Sequence, residues 1–152
     1  MLQAVNKPTF ADKGAKRRPY KPVLVSLACA ATELGLEPET VTQMTESGTL
    51  RYVFDISATG AKRRALRFWL RELRGHPGDA PQTVDAAVEE IAGPALFERV
   101  RTSTVSGRFQ TTRTVVHKWL ALGEIDGGKD QAGRQFVSRT SLVGFLKRRL
   151  CK

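Results

Sequence analysis

The chain repeats itself. Displaced by 75 positions, residues 30–50 (AATELGLEPETVTQMTESGTL) lie without a gap against residues 105–125 (VSGRFQTTRTVVHKWLALGEI). Few residues are identical, but their classes agree: Leu34 falls on Phe109, Val41 on Val116, Met44 on Trp119, Gly48 on Gly123 and Leu50 on Ile125. An apolar position that meets an apolar position, with a helix-ending glycine opposite its counterpart, predicts two copies of one supersecondary unit.

The second copy shows the unit's plan. A short helix ends near Phe109 and turns at Gln110 and Thr111. Thr112 then suits an N-cap, because its hydroxyl accepts from the unpaired amides of the helix that follows. Val115, Val116, Trp119, Leu120 and Leu122 recur at helical spacing and predict an inward stripe. Gly123 supplies the left-handed residue that stops the helix. The outward ridge is left to Arg113, Thr114, His117 and Lys118. Gly127, Gly128 and Gly133 punctuate the polar stretch before QFV and predict a β-hairpin with a mobile basic tip. Ser138 or Ser141 is placed to cap a last helix. There Leu142, Phe145, Leu146 and Leu150 form an apolar stripe and Lys147, Arg148 and Arg149 a solvated one.

The first copy follows suit. SLACAATELG predicts the first helix and LEPETVTQMTESG the turn and second helix, with Pro38 in a first turn, where its missing amide costs nothing. Residues 49–69 predict two strands around a basic turn, with Leu50, Tyr52, Phe54 and Ile56 facing Leu66 and Phe68. A single helix from Ala61 to Leu73 is the competing possibility. Met44 and Trp119 read as core, as does Cys29, whereas Cys151 reads as a frayed end.

Charge divides the chain. Residues 1–25 hold 6 basic and 1 acidic side chains (net +5), 26–75 hold 7 and 6 (+1), 76–100 hold 1 and 5 (−4), and 101–152 hold 11 and 3 (+8). The expected organisation is a basic arm over 1–22, unit 1 over 23–75, an acidic linker over 76–100 with a helix at 83–92, and unit 2 over 101–152. The arm carries Lys13, Lys16, Arg17, Arg18 and Lys21 among proline and glycine and cannot bury enough apolar surface to fold alone. It is either a tail lying on a nucleic-acid backbone or groove, or a solubilising leader.

A formal charge of +10 directs the chain toward polyanions. The longest apolar run, Val23 to Ala31, is roughly half of what a bilayer requires, and no signal peptide is readable at Met1. Two distant cysteines and two histidines without ligand spacing give no metal site, no cofactor and no catalytic residue, and no phosphate loop or nucleophile elbow is present. The expectation is a non-enzymatic cytoplasmic, nucleoid-associated protein without a membrane partner.

The segments RFQTTRTVVHKWLALGEI and GRQFVSRTSLVGFL, with residues 30–50 of the first copy, resemble the MerR-like and phage-excisionase group of winged helix-turn-helix DNA-binding domains. The resemblance implies a mainly α fold with short β-hairpin wings (α+β), in two tandem copies. The second helix would enter the major groove and the wing would touch flanking phosphate or minor groove. By resemblance these roles fall on Arg113, Thr114, His117 and Lys118, with Thr112 at the helix start, and on Lys129 and Arg134 in the wing. The usual glycine of the interhelical turn is Gln110 in the second copy and Gly35 in the first. Nothing resembles an effector domain or a dimerisation helix of that group.

The copies differ in charge. The first reading helix exposes Glu37, Glu39 and Glu46, so unit 2 is expected to read bases, while unit 1 touches backbone through Lys62, Arg63 and Arg64 or serves as a protein interface. With Arg17 and Arg18 of the arm, these residues make up the expected contact set. The partner is double-stranded DNA, with a second copy or another DNA-bound protein as a further partner. The function is that of a transcription regulator or excisionase-like architectural factor. The alternative is an adaptor in a replication, partition or DNA-packaging complex, resting on the acidic helix of unit 1 and on Val84, Ala87, Val88 and Ile91 along one side of the 83–92 helix.

Overall fold

The computed structural model describes residues 21–75, 81 and 83–151, so Arg17 and Arg18 lie outside the described residues. It is a mixed α and β structure. In chain order the elements are β1 (Leu24–Ser26), α1 (Leu27–Leu34), α2 (Pro38–Glu46), β2 (Val53–Asp55), β3 (Leu66–Trp69), α3 (Leu70–Arg74), α4 (Val84–Ala92), β4 (Arg99–Arg101), α5 (Thr102–Arg108), α6 (Arg113–Ala121), β5 (Gly127–Lys129), β6 (Gln135–Ser138) and α7 (Arg139–Arg149). The strands form two antiparallel three-stranded sheets, ordered β1-β3-β2 and β4-β6-β5.

The 75-residue displacement survives in three dimensions. β1 and β4 begin at Leu24 and Arg99, α1 and α5 at Leu27 and Thr102, and α2 and α6 at Pro38 and Arg113. Even the turn chemistry recurs. Leu36 N–H donates to the Ala31 carbonyl over 3.0 Å and Thr111 N–H to that of Ser106 over 2.9 Å. Each turn passes through a left-handed residue, Gly35 at φ 68° and Gln110 at φ 49°. Gln110 takes a conformation that strains most side chains. Its Oε1 is also used, accepting from Ser26 N–H of the other unit over 2.8 Å.

Helix caps follow the sequence. Ser26, Thr83, Thr112 and Ser138 each accept a first-turn amide, and Pro38 sits in the first turn of α2. Ser138 is therefore the cap of α7, while the Ser141 hydroxyl accepts from Asp126 N–H. Residues 61–73 are not one helix. β3 occupies 66–69 and only α3 is helical, because Phe68 and Trp69 alternate into opposite cores.

Two apolar clusters hold the molecule. The smaller lies between α1, α2 and one face of the first sheet, through Val25, Ala30, Val41, Val53 and Phe68, with Leu34 and Met44 partly buried against it. The larger crosses both units: Leu24, Tyr52, Phe54, Ile56 and Trp69 on the other sheet face meet Val88 and Ile91 of α4, Val116 and Trp119 of α6, and Leu142, Phe145 and Leu146 of α7. Both faces of the first sheet are thus covered. Tyr52, Phe54 and Ile56 accordingly point away from Leu50, Leu66 and Phe68, and the expected shared face is corrected to two opposite ones.

The helix expected at 83–92 is present as α4. Ala87, Val88 and Ile91 are fully buried while Val84 is exposed, so the apolar side read as a partner surface is filled by the chain itself. Arg139, nearly buried, ties α4 to α7 by donating to the Glu89 and Gly93 carbonyls. Cys29 is exposed rather than core, because it lies in the first turn of α1 on the side away from Ala30 and Ala31. Cys151 is not frayed: its N–H donates to the Val53 carbonyl over 2.7 Å and Leu150 bridges to Phe54, so these two residues are stitched onto the first sheet.

Candidate nucleic-acid interface

Helix α6 is amphipathic and pinned from below. Val116 and Trp119 are fully buried, and Val115 and Leu120 are packed partly against the shared core. Trp119 Nε1–H donates to the Ile56 carbonyl of unit 1 over 3.0 Å. Leu122, expected to point inward, is exposed. The left-handed Gly123, at φ 73°, reverses the chain there, and the inward place is taken by Ile125. What the core leaves outside is the ridge of Thr112, Arg113, Thr114, His117 and Lys118, all exposed.

Opposite this helix stands the loop between β2 and β3, residues 56–65, fixed at both ends. Asp55 accepts from Ser57 N–H and Oγ–H and from Ala65 N–H, and forms a 3.5 Å ion pair with Arg64. Burial works against the Asp55 carboxylate, but these hydrogen bonds and the Arg64 charge outweigh it and hold its pKa below the ordinary value. From unit 2, Glu124 accepts from Thr59 N–H over 2.8 Å and also from its hydroxyl. Arg149 pairs with Glu124 at 2.9 Å and donates to the Ser57 carbonyl. Arg149 was expected to be solvated; it is instead largely buried by this clamp and by Phe145, over whose ring it lies.

A second fastening comes from Arg67 in β3. Its Nε and Nη2 donate to the Phe109 and Gln110 carbonyls over 2.9 and 2.8 Å, gripping the turn between α5 and α6. Burial lowers the Arg67 pKa from its ordinary value, a shift that the neighbouring Cys29 opposes. The starting value is high enough that the guanidinium stays charged.

Between loop and helix lies an open groove of about 1360 Å³. Unit 1 lines it with Ser57, Ala58, Arg63 and Arg67, unit 2 with Ser103, Ser106, Gln110, Thr112, Arg113 and Lys118, and Lys21 is at its margin. Among the described residues no Asp or Glu lines it. Cations converging without compensating carboxylates in a concave surface focus a positive potential.

The groove gathers part of the expected contact set. Thr112, Arg113, Lys118 and Arg63 line it together. Thr114 and His117 lie on the exposed ridge of α6 outside the lining, and Lys62 is exposed on the loop. Arg64 is exposed but turned to Asp55 and to the Cys151 sulfur. Lys129 and Arg134 are exposed on the β5–β6 hairpin, outside the groove lining. That hairpin's tip is closed by Asp130, which accepts from Ala132 and Arg134 N–H. The Arg134 amide is the leading cause of an Asp130 pKa below the ordinary value.

Arg67, Ser103, Ser106 and Gln110 were not foreseen as part of the site. Arg67 carried one clue, a cation inside an apolar strand, but its partners lie 42 and 43 positions away. No lining residue comes from α2, whose Glu37, Glu39 and Glu46 are exposed elsewhere. No protein-family model, curated protein or solved structure matches the chain.

Proposed function

We propose that this protein binds double-stranded DNA without catalysis, as a transcription regulator or an architectural factor of the excisionase kind. On this reading its two units are winged helix-turn-helix modules. The order strand, helix, turn, helix, hairpin, helix, present twice, is the order such modules use. The observation that carries the reading is the groove: Lys21, Arg63, Arg67, Arg113 and Lys118 surround it with no carboxylate among the described lining residues, beside an exposed helix ridge of the same sign.

In this account α6 lies in the major groove. Arg113, near its N-terminus, pairs with a guanine edge, a contact worth about 1–3 kcal/mol of discrimination. Thr112, Thr114, His117 and Lys118 complete the ridge, Lys129 and Arg134 reach flanking backbone, and the loop of unit 1 brings Lys62 and Arg63 to phosphates, which fix register without reading sequence. The two units form one composite jaw, because Arg67, Glu124, Arg149 and Trp119 fasten the loop of one beside the helix of the other.

The test compares Arg113→Ala with Arg63→Ala on duplexes selected from a random pool, across a range of salt. Arg113→Ala should lose sequence preference. Arg63→Ala should weaken all duplexes alike and reduce the log–log salt slope by about 1. Binding insensitive to salt, or sequence preference lost in Arg63→Ala and kept in Arg113→Ala, would overturn the assignment.

A further inference from the structure

Among the described residues, the repeat covers a surface in unit 1 that it leaves open in unit 2. β1 is buried through Leu24 and Val25, and Val23 N–H, just before it, donates to the Arg108 carbonyl of unit 2 over 2.6 Å. Its counterpart β4 is also an outer strand, paired among the described residues with β6 and not with a second strand, and Arg99 and Arg101 are exposed on it. The outward backbone groups of such an edge are a template for another strand.

The approach to β4 is apolar and in water. Leu96 is 88% exposed and Phe97 63%, side by side in the loop between α4 and β4. Alternation puts Arg99 and Arg101 on one side of the strand, and the register sets Phe136 opposite Arg101, with the Arg99 guanidinium 4.7 Å from the Phe136 ring centre. The nearby carboxylates are held by other groups: Glu98 accepts from Ser138, Thr140 N–H and the Thr140 hydroxyl, and Asp130 accepts from the hairpin-tip amides while its charge also acts on Arg101, which leaves Arg99 as the cation facing outward with no carboxylate against it among the described residues. Exposed leucine and phenylalanine beside arginines, on an open strand edge, have the composition of an interface rather than of ordinary surface.

We propose that β4 and the Leu96–Phe97 loop form a docking site for an extended acidic peptide segment of a partner protein, which adds as a fourth strand beside β4. The strand's amides and carbonyls supply the ladder. Arg99 and Arg101 meet carboxylates at alternate positions, and Leu96 and Phe97 cover an apolar residue at the segment's end. A second copy of this chain fits badly, since two β4 strands running antiparallel would set Arg99 and Arg101 of one against those of the other. A DNA backbone could accept from the strand amides but has no donor for the strand carbonyls and no apolar group for Leu96 and Phe97.

The test uses the full chain and two labelled synthetic peptides, one alternating glutamate with valine and ending in Leu-Phe, the other with lysine in place of glutamate. Fluorescence anisotropy should show saturable binding of the first and none of the second. Leu96→Ser combined with Phe97→Ser, and separately Arg99→Glu combined with Arg101→Glu, should each weaken the first peptide about tenfold or more. Peptide should also slow hydrogen exchange within β4. Every substituted side chain is exposed, so circular dichroism should be unchanged. Absence of saturable binding by wild type, equal binding of the lysine peptide, or unprotected β4 amides would overturn the proposal. So would a matching loss of duplex affinity in the Leu96/Phe97 variant, which would assign the patch to DNA, or self-association that this variant abolishes, which would assign it to a second copy.

Discussion

Replacing Trp119 with phenylalanine tests whether the two units are one cooperative body. The indole is fully buried, donates to the Ile56 carbonyl of unit 1, and lies against Phe145 with ring centres 4.6 Å apart. Phenylalanine keeps one ring in place but leaves the buried Ile56 carbonyl unpaired, at a cost of about 1–3 kcal/mol. The lost ring volume adds roughly 1 kcal/mol. A total of about 2–4 kcal/mol, with a urea m-value of about 2 kcal/mol/M, lowers the midpoint by roughly 1–2 M. The variant also leaves Trp69 of unit 1 as the single tryptophan. Because Trp69 belongs to the shared core, its fluorescence should report the full shift and coincide with circular dichroism at 222 nm, a wavelength that follows helix. If Trp69 instead unfolded at the wild-type midpoint while circular dichroism became biphasic, the units would be independent and the shared core would not carry the energetics argued for it.

Two further outcomes follow from local geometry. Gly35→Ala should cost about 1–2 kcal/mol in urea melts, because φ is 68° there and nothing lies within 4 Å of the added methyl, so the loss is purely conformational; an unchanged midpoint would remove the left-handed turn from the account. Acid should destabilise the fold. Glu98, held down first by its Ser138 hydrogen bond, Glu33, held down by Arg74, and Asp55 and Asp130 all have folded-state pKa values below the ordinary ones. Their unfolded forms therefore bind more protons between the two values, so the stabilisation is complete above about pH 4–5 and is lost as pH falls through the folded values. Urea midpoints should be flat near neutrality and decline below about pH 4, with a shallower decline in Asp130→Asn; a midpoint that rises on acidification would contradict the assignment.

Local order was legible in the sequence because local chemistry determines it. Thr112 caps α6 through its own hydroxyl, Pro38 starts α2, Gly123 stops a helix by backbone freedom, and the 75-residue displacement of apolar classes forecast paired helices and their turns. The ridge of Arg113, Thr114, His117 and Lys118 was legible for the same reason, since helical spacing alone separates it from Val116 and Trp119. Tertiary structure decided what depends on distant neighbours. Periodicity marked Tyr52 and Phe68 as apolar but set them on one shared face, whereas each faces a different core, and it could not show that unit 2 covers the first sheet. Arg149 was legible as a charge at the end of a helix, yet only folding brings Glu124 and the Ser57 carbonyl to it and turns a solvated residue into a clamp. The groove itself joins a loop and a helix far apart in the chain, with Arg63 and Arg113 separated by 50 positions, and such proximity comes from long-range packing, which no local pattern of residues encodes.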